Sequence, residues 1–186
     1  MTNPLFYAKI LLFGEYGIIE DSQGLTLPYS FYKGTLKFSD NQSDFEKKSN
    51  ESLQKYSDYL ANLELSKDFK IDVEAFKKDI EKGLFFDSNI PQGYGVGSSG
   101  ALVAAIFEKY SFKKYIPENI SKTQLKDLKK VFGELESYFH GKSSGIDPLI
   151  CYMNLPILIE NRESVDKVSI PKEEAGKGAI FLIDSG

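Results

Sequence analysis

An α+β domain is predicted from three observations. Short apolar runs of strand length alternate along the chain with longer segments whose apolar residues recur at helical spacing. A glycine-rich turn, Pro91-Gln92-Gly93-Tyr94-Gly95-Val96-Gly97-Ser98-Ser99-Gly100, joins one such run, Leu84 to Ile90, to an apolar helix that begins Ala101-Leu102-Val103. Beyond that helix, Lys113 to Ser121 is a polar link into another helix, where a dinucleotide-binding unit needs a second parallel strand.

Taken in order, Leu5 to Phe13 reads as a strand that breaks at Gly14, and Ile18 to Ile19, Leu25 to Leu27 and Phe31 to Phe38 complete a small N-terminal β layer with Ser22-Gln23-Gly24 as a turn. Asp40 to Glu51 is polar and reads as a mobile loop. Leu53, Tyr56, Leu60 and Leu63, then Val73, Phe76 and Ile80, mark two amphipathic helices leading to the strand before the glycine-rich turn. Ser121-Lys122-Thr123-Gln124 is a capping-box start, followed at helical spacing by Leu125, Leu128, Val131 or Phe132, Leu135 and Phe139. A short helix from Asp147 to Met153 and strands near Ile157 to Glu160 and Val165 to Ile170 follow.

The composition is that of a soluble intracellular enzyme. The 186 residues suit one domain with a genuine core, and 41% hydrophobic and 27% charged residues are globular values. The single cysteine, Cys151, excludes an internal disulfide framework and reads as a small buried hydrophobe. No signal peptide or membrane-length apolar run is present, and a net charge of -4 without a basic cluster gives no support to nucleic-acid binding. The expected location is cytoplasmic and the expected partner a small molecule, with a homodimer left open.

The glycine-rich turn carries the chemistry. Glycines let the main chain approach an anion closely, and the first free N–H groups of the following helix point outward with the helix dipole behind them. Ser98 and Ser99 add hydroxyls where a phosphate-bound Mg2+ needs oxygen ligands. Gly95 to Gly100 also fits the dinucleotide pattern GxGxxG, which the missing second strand disfavours; a Walker loop is excluded because no Lys-Ser or Lys-Thr pair follows the glycines. A turn without a ligand is the bland alternative.

Two further segments bear on it. Glu136, near the end of its helix, is followed by the turn-rich His140-Gly141-Lys142-Ser143-Ser144-Gly145-Ile146-Asp147, which could swing Asp147 back toward the helix end. Two carboxylates so divided suit different tasks, one holding Mg2+ and one deprotonating a hydroxyl, although acidic residues in such places are usually solvated. Lys9 interrupts the apolar run of Ala8 to Phe13, so it either lies on a solvated face or meets an anion.

Together, and in this order, Lys9 to Gly17, Pro91 to Ala101 and Glu136 to Asp147 resemble the three-part pattern of the GHMP kinase superfamily, its mevalonate kinase branch most closely. The resemblance implies a ribosomal-protein-S5-like fold for the GHMP kinase N-terminal domain and ATP-dependent phosphorylation of a small-molecule hydroxyl, with mevalonate or a similar alcohol as acceptor and ATP and Mg2+ as cofactors. By that likeness Pro91, Gly93, Gly95, Val96, Gly97, Ser98, Ser99 and Gly100 bind ATP, and Ser98, Ser99 and Glu136 hold the metal. Asp147 is the catalytic acid-base residue with Lys9 paired to it, and Glu15, Tyr16, His140 and Ser144 match positions near the acceptor. Other members act on sugars, homoserine or phosphomevalonate, and a member that binds ATP without chemistry is a further alternative.

The chain departs from the family pattern in three places. Tyr16 stands where mevalonate kinases usually carry histidine, which softens the acceptor assignment. Gly100 replaces a common alanine, at a cost in helix propensity that leaves the amides available. The third family motif, a glycine-rich loop, has no counterpart before Gly186. The resemblance therefore implies an N-terminal domain over 1–175, the start of a cut C-terminal domain over 176–186, and an active cleft between the two.

Overall fold

The computed structural model describes residues 3–14 and 23–169. Within them the chain runs β1 (Phe6–Phe13), β2 (Gly24–Phe38), α1 (Asp44–Ala61), α2 (Val73–Glu81), β3 (Leu84–Ser88), α3 (Ser98–Tyr110), α4 (Lys122–His140), α5 (Ile146–Met153), β4 (Ile157–Ile159) and β5 (Val165–Lys167). The expected strand at Ile18 to Ile19 and the boundary at 175/176 lie outside the described residues.

β2 organises the sheet. It pairs antiparallel with β1 along one side; on the other side its start, Gly24 to Thr26, meets β4 and its end, Gly34 to Phe38, meets β3. β5 then adds to β4. The sequence reading places two separate strands across β2, Leu25 to Leu27 and Phe31 to Phe38, with Pro28, which lacks a ladder donor, between them. The structure keeps β2 continuous. Lys9 is the partner of Pro28, yet the Lys9 amide points away from β2 and donates to the Val96 carbonyl at 2.9 Å. The two residues thus form a pair that exchanges no hydrogen bonds, so β1 asks no donor of the proline. Tyr7 faces Lys33 while Ala8 faces Tyr29, so Ser30, Phe31 and Tyr32 are extruded as a bulge.

The helices pack on this sheet, with α3 and α5 against β1 and β2 and α1 against β3. α3 is buried nearly all round, and Gly100, Ala101, Ala104 and Ala105 allow its neighbours close. Phe107 of α3, Phe132 of α4 and Tyr152 of α5 meet with ring centroids 5.0–5.5 Å apart. Every residue of α5 except Asp147 is buried. Among the described residues no helix is long and apolar enough to cross a membrane.

The polar stretch Asp40 to Glu51 is not the expected loop, since α1 begins at Asp44. Ser43 and Glu46 form a capping box, in which the Ser43 side chain accepts from the Glu46 N–H and Glu46 accepts from the Ser43 N–H at 2.6 Å. The first turns face the sheet with polar groups: Ser49 Oγ accepts from the Phe86 N–H at 2.9 Å, and Asn50 donates to the carbonyls of Ile80 and Leu84 at 2.9 and 2.7 Å. A helix docked by hydrogen bonds onto β3 has no apolar stripe there for a periodicity argument to find.

Candidate active site

Gly93, Gly95 and Gly97 all take left-handed backbone angles, with φ of 83°, 68° and 82°. A Cβ on Gly93 or Gly95 would meet nothing within 4 Å, so those two positions need glycine for conformation rather than space. A Cβ on Gly97 would lie 2.9 Å from Lys9 Cγ. The turn is anchored from beneath. Val96 is buried, its carbonyl accepts from the Lys9 amide, and the Cys151 thiol points at the Gly97 carbonyl at 3.8 Å. Burial foremost, then the charges of Asp147 and Glu136, push the Cys151 thiol well above its usual range, so it serves packing rather than reactivity. On the other side the N–H groups of Ser98 and Ser99, at the start of α3, have no intrahelical acceptors.

That side faces a cleft of about 960 Å³. Pro91, Gly93, Gly95, Val96, Gly97, Ser98 and Ser99 line one wall, and Phe45, Lys48, Ser49 and Ser52 of α1 another, while His140 and Asp147 also reach it. The volume is of the order expected for a small-molecule or cofactor site.

The Lys9 ammonium lies 2.9 Å from Asp147 Oδ1, which resolves the choice left by the sequence in favour of the anion. Lys9 is 9% exposed, so its charge is compensated by a partner rather than by water. Asp147 sits in the first turn of α5, where the helix dipole also favours a negative charge.

Its location depends on Gly100. A Cβ there would fall 2.7 Å from the Asp147 carbonyl carbon and 2.8 Å from Pro148 N. The glycine is therefore not a minor loss of helix propensity; it is the contact at which α3 and α5 touch through their backbones. Gly145, at the N-cap of α5, makes a similar approach to α4, since a Cβ on it would overlap the Lys129 carbonyl oxygen at 1.9 Å.

Glu136 is 3% exposed on the inner face of α4. Ser99 Oγ donates to its Oε1 at 2.9 Å, and Ser143 Oγ donates to its Oε2. Burial raises the Glu136 pKa and the nearby Asp147 charge adds to the rise, while the Ser143 and Ser99 hydrogen bonds oppose it. His140, one turn on from Glu136, places Nε2 3.0 Å from Ser99 Oγ. Because the Ser99 hydroxyl proton is directed at Glu136, the His140 Nε2–H is the donor in that contact.

The structure thus brings together Lys9, Gly97, Ser99, Glu136, His140 and Asp147. Ser98 lines the cleft at the first position of α3, whereas the hydroxyl that meets Glu136 is that of Ser99. Gly100 lies behind the wall, buried against α5, and does not line the cleft. His140 sits on the Ser99 hydroxyl. Ser144 is exposed, accepts from the Ile146 N–H at 3.4 Å and is not among the lining residues. Glu15 and Tyr16 lie outside the described residues. Sequence reasoning missed Ser143, which no local signal distinguishes from Ser144, and the α1 wall, whose Phe45 and Lys48 fall in the stretch read as a loop.

A metal test follows from the donors present. The Glu136 carboxylate and the Ser99 hydroxyl supply hard oxygen ligands, which fit Mg2+. Among the described residues no three His, Cys, Asp or Glu side chains cluster as a cage. Such a low ligand count suits an ion that shares its shell with nucleotide phosphates and water.

The family described as GHMP kinases N terminal domain matches residues 57–154. Comparison with curated proteins gives no significant match. Among solved structures, L. major mevalonate kinase in complex with R-mevalonate is similar with a TM-score of 0.54 and 14% identity, over 92% of this chain and 53% of that one. A second mevalonate kinase gives a TM-score of 0.51 and 18% identity over 91% of this chain and 56% of its own. At these identities the likeness concerns the fold. The chain spans about half the length of the structures it matches.

Proposed function

This chain belongs to the GHMP kinase family through its N-terminal domain, and on that premise we propose that it carries the ATP-binding and catalytic residues of a small-molecule kinase acting on an alcohol, with mevalonate converted to 5-phosphomevalonate. One observation carries the reading: Asp147, paired with the buried Lys9, lines the same cleft as the glycine turn, whose Ser99 hydroxyl meets the buried Glu136. A general base, a fixed cation, an anion-binding helix start and a metal-ligating carboxylate are the parts that phosphoryl transfer to a hydroxyl requires.

In this reading the amides of Ser98 and Ser99 and the turn glycines hold the phosphates, and the α1 wall of the cleft receives the rest of the nucleotide. Glu136 and the Ser99 hydroxyl would hold Mg2+, and the Ser98 hydroxyl, at the first position of α3, is a further candidate ligand. When bound, that ion neutralises charge on the phosphate oxygens. Asp147 accepts the proton of the acceptor hydroxyl as its oxygen bonds to the terminal phosphorus in line with the breaking bond to ADP. Lys9 keeps Asp147 ionised and in place and offsets charge on the transferring group. His140 steadies the Ser99 hydroxyl from the end of α4.

Support for mevalonate is the similarity in fold to kinases of that alcohol. Tyr16, in place of the usual histidine, is the specific observation favouring a neighbouring acceptor class such as a sugar, homoserine or phosphomevalonate. A coupled ADP-release screen of the full chain with ATP, Mg2+ and each of mevalonate, galactose, homoserine and phosphomevalonate tests the reading. ADP release with mevalonate is expected. Release with another acceptor moves the substrate and keeps the reaction; ATP binding without release for any acceptor makes the chain a non-catalytic nucleotide binder.

A further inference from the structure

We propose that Ser143 is a positioning residue for the metal carboxylate, locking Glu136 to the turn that delivers Asp147. The inference rests on the kinase reading above. Glu136 has two carboxylate oxygens, and the cleft side claims one of them through Ser99. The other faces the α4–α5 turn, where the Ser143 hydroxyl donates to it.

The direction of that bond is fixed by its surroundings. Ser143 Oγ already accepts from the Gly145 N–H at 3.0 Å, so its one proton is free to be committed to Glu136. The Ser143 N–H in turn donates to Ser137 Oγ at 3.3 Å, and Ser137 Oγ donates to the Gly133 carbonyl at 2.7 Å. Ser143 is therefore held from both sides of its own backbone. Gly145, whose amide it receives, is the residue immediately before the turn of α5 that carries Asp147.

A single hydroxyl thus joins the Glu136 carboxylate to the backbone that leads into the Asp147 turn. Without it Glu136 keeps only the Ser99 contact, and Ser99 is itself a candidate ligand. With it, one carboxylate oxygen is held by a hydroxyl of the α4–α5 turn, and the other meets Ser99, a residue of the cleft wall. Outer partners of this kind, removed singly, cost about 10- to 100-fold in metal affinity.

Calorimetric titration of the full chain with ADP, in the presence of Mg2+ and in EDTA, separates the metal contribution from nucleotide binding itself. In Ser143→Ala the affinity for ADP in EDTA should stay within about two-fold of wild type, while the tightening produced by Mg2+ should shrink by about 10-fold. Ser143→Thr, which keeps the hydroxyl, should recover most of that tightening. Ser137→Ala loosens the same turn without removing the Glu136 contact and should leave the tightening near wild type; melting curves report the folding of all three. Equal Mg2+ tightening in Ser143→Ala and wild type overturns the proposal. So does an equal loss with and without Mg2+, or an equal effect of Ser137→Ala, because either marks a turn-building role only. If Ser143→Ala does not fold, Ser143→Cys, which keeps the size and only a weak donor, is read against the same criteria. Failure of the wild type to bind ADP under any condition overturns the kinase reading first, and this inference with it.

Discussion

Replacing Gly100 with alanine adds one methyl group at the crossing of α3 and α5. The new carbon would lie 2.7 Å from the Asp147 carbonyl carbon, 2.8 Å from Pro148 N and 3.0 Å from Asp147 Cβ. Non-bonded carbons rest about 3.5–4.0 Å apart, so roughly 1 Å of separation has to open. Two of the three atoms are backbone, and none can rotate away, so the first turn of α5 must retreat. Two stability effects oppose one another: about 1 kcal/mol gained in helix propensity against about 1–3 kcal/mol for overpacking. The variant should therefore fold, with a small net loss.

Function responds differently. The retreat carries Asp147 away from the Lys9 ammonium, now 2.9 Å from it, and from the cleft. A displacement of about 1 Å at a reacting group is enough to cost on the order of 100-fold in rate. The loop amides are untouched, so ADP affinity should change by no more than a few fold. Thermal melting, ADP calorimetry and coupled ADP release measure the three quantities on one preparation. Turnover of Gly100→Ala within about two-fold of wild type would refute the reasoning, since the crossing would then not set the position of Asp147.

Gly97→Val must hold a β-branched residue at φ 82° and place its Cβ 2.9 Å from Lys9 Cγ, so ADP affinity should fall at least about 10-fold while the chain still melts cooperatively; unchanged affinity by calorimetry would remove the phosphate-loop assignment. Asp147→Asn keeps size and polarity but cannot accept the proton, so turnover should fall on the order of 100-fold or more with ATP affinity within a few fold, and near-normal turnover would end its role as base. Glu136→Gln should alter the pH dependence of stability in metal-free protein. The folded carboxyl holds its proton more tightly than the unfolded one, so the contribution of Glu136 to stability is fully present below the ordinary value of 4.5 and is lost as pH rises through the higher folded value. The glutamine variant lacks that loss and should gain on wild type as pH rises above the ordinary value of 4.5 in thermal melts; a constant difference would show that burial does not strain the charge.

Legibility in the sequence followed the range of the interaction. The glycine turn was readable because three left-handed residues in a row of alternating glycines are a local requirement. Glu136 and Asp147 were only weak signals by themselves and became candidates through their order with Lys9 and the turn. The start of α1 was hidden because Ser49 and Asn50 dock it by hydrogen bonds, which leave no apolar period, although its Ser43–Glu46 cap was in plain view. The strand read as two is one, and the pairing of Pro28 with Lys9 shows why the proline does not break it. The meaning of Gly100 and of Ser143 lies wholly in what another helix brings to them. No reading of propensity or turn chemistry contains that information.

The Lys9 amide has a consequence for association. β1 is the outermost strand on its side of the described sheet, and its outward N–H groups are the kind of donors to which a strand from another molecule can add. At Lys9 that donor is occupied by the Val96 carbonyl, so the segment read as a nucleotide cradle also blocks strand addition at the middle of β1. A variant that loosens the cradle would uncover a sticky edge as well as losing its ligand. Aggregation in such a variant would then report the uncapped strand, and light scattering alongside calorimetry would distinguish it from a simple loss of phosphate contacts.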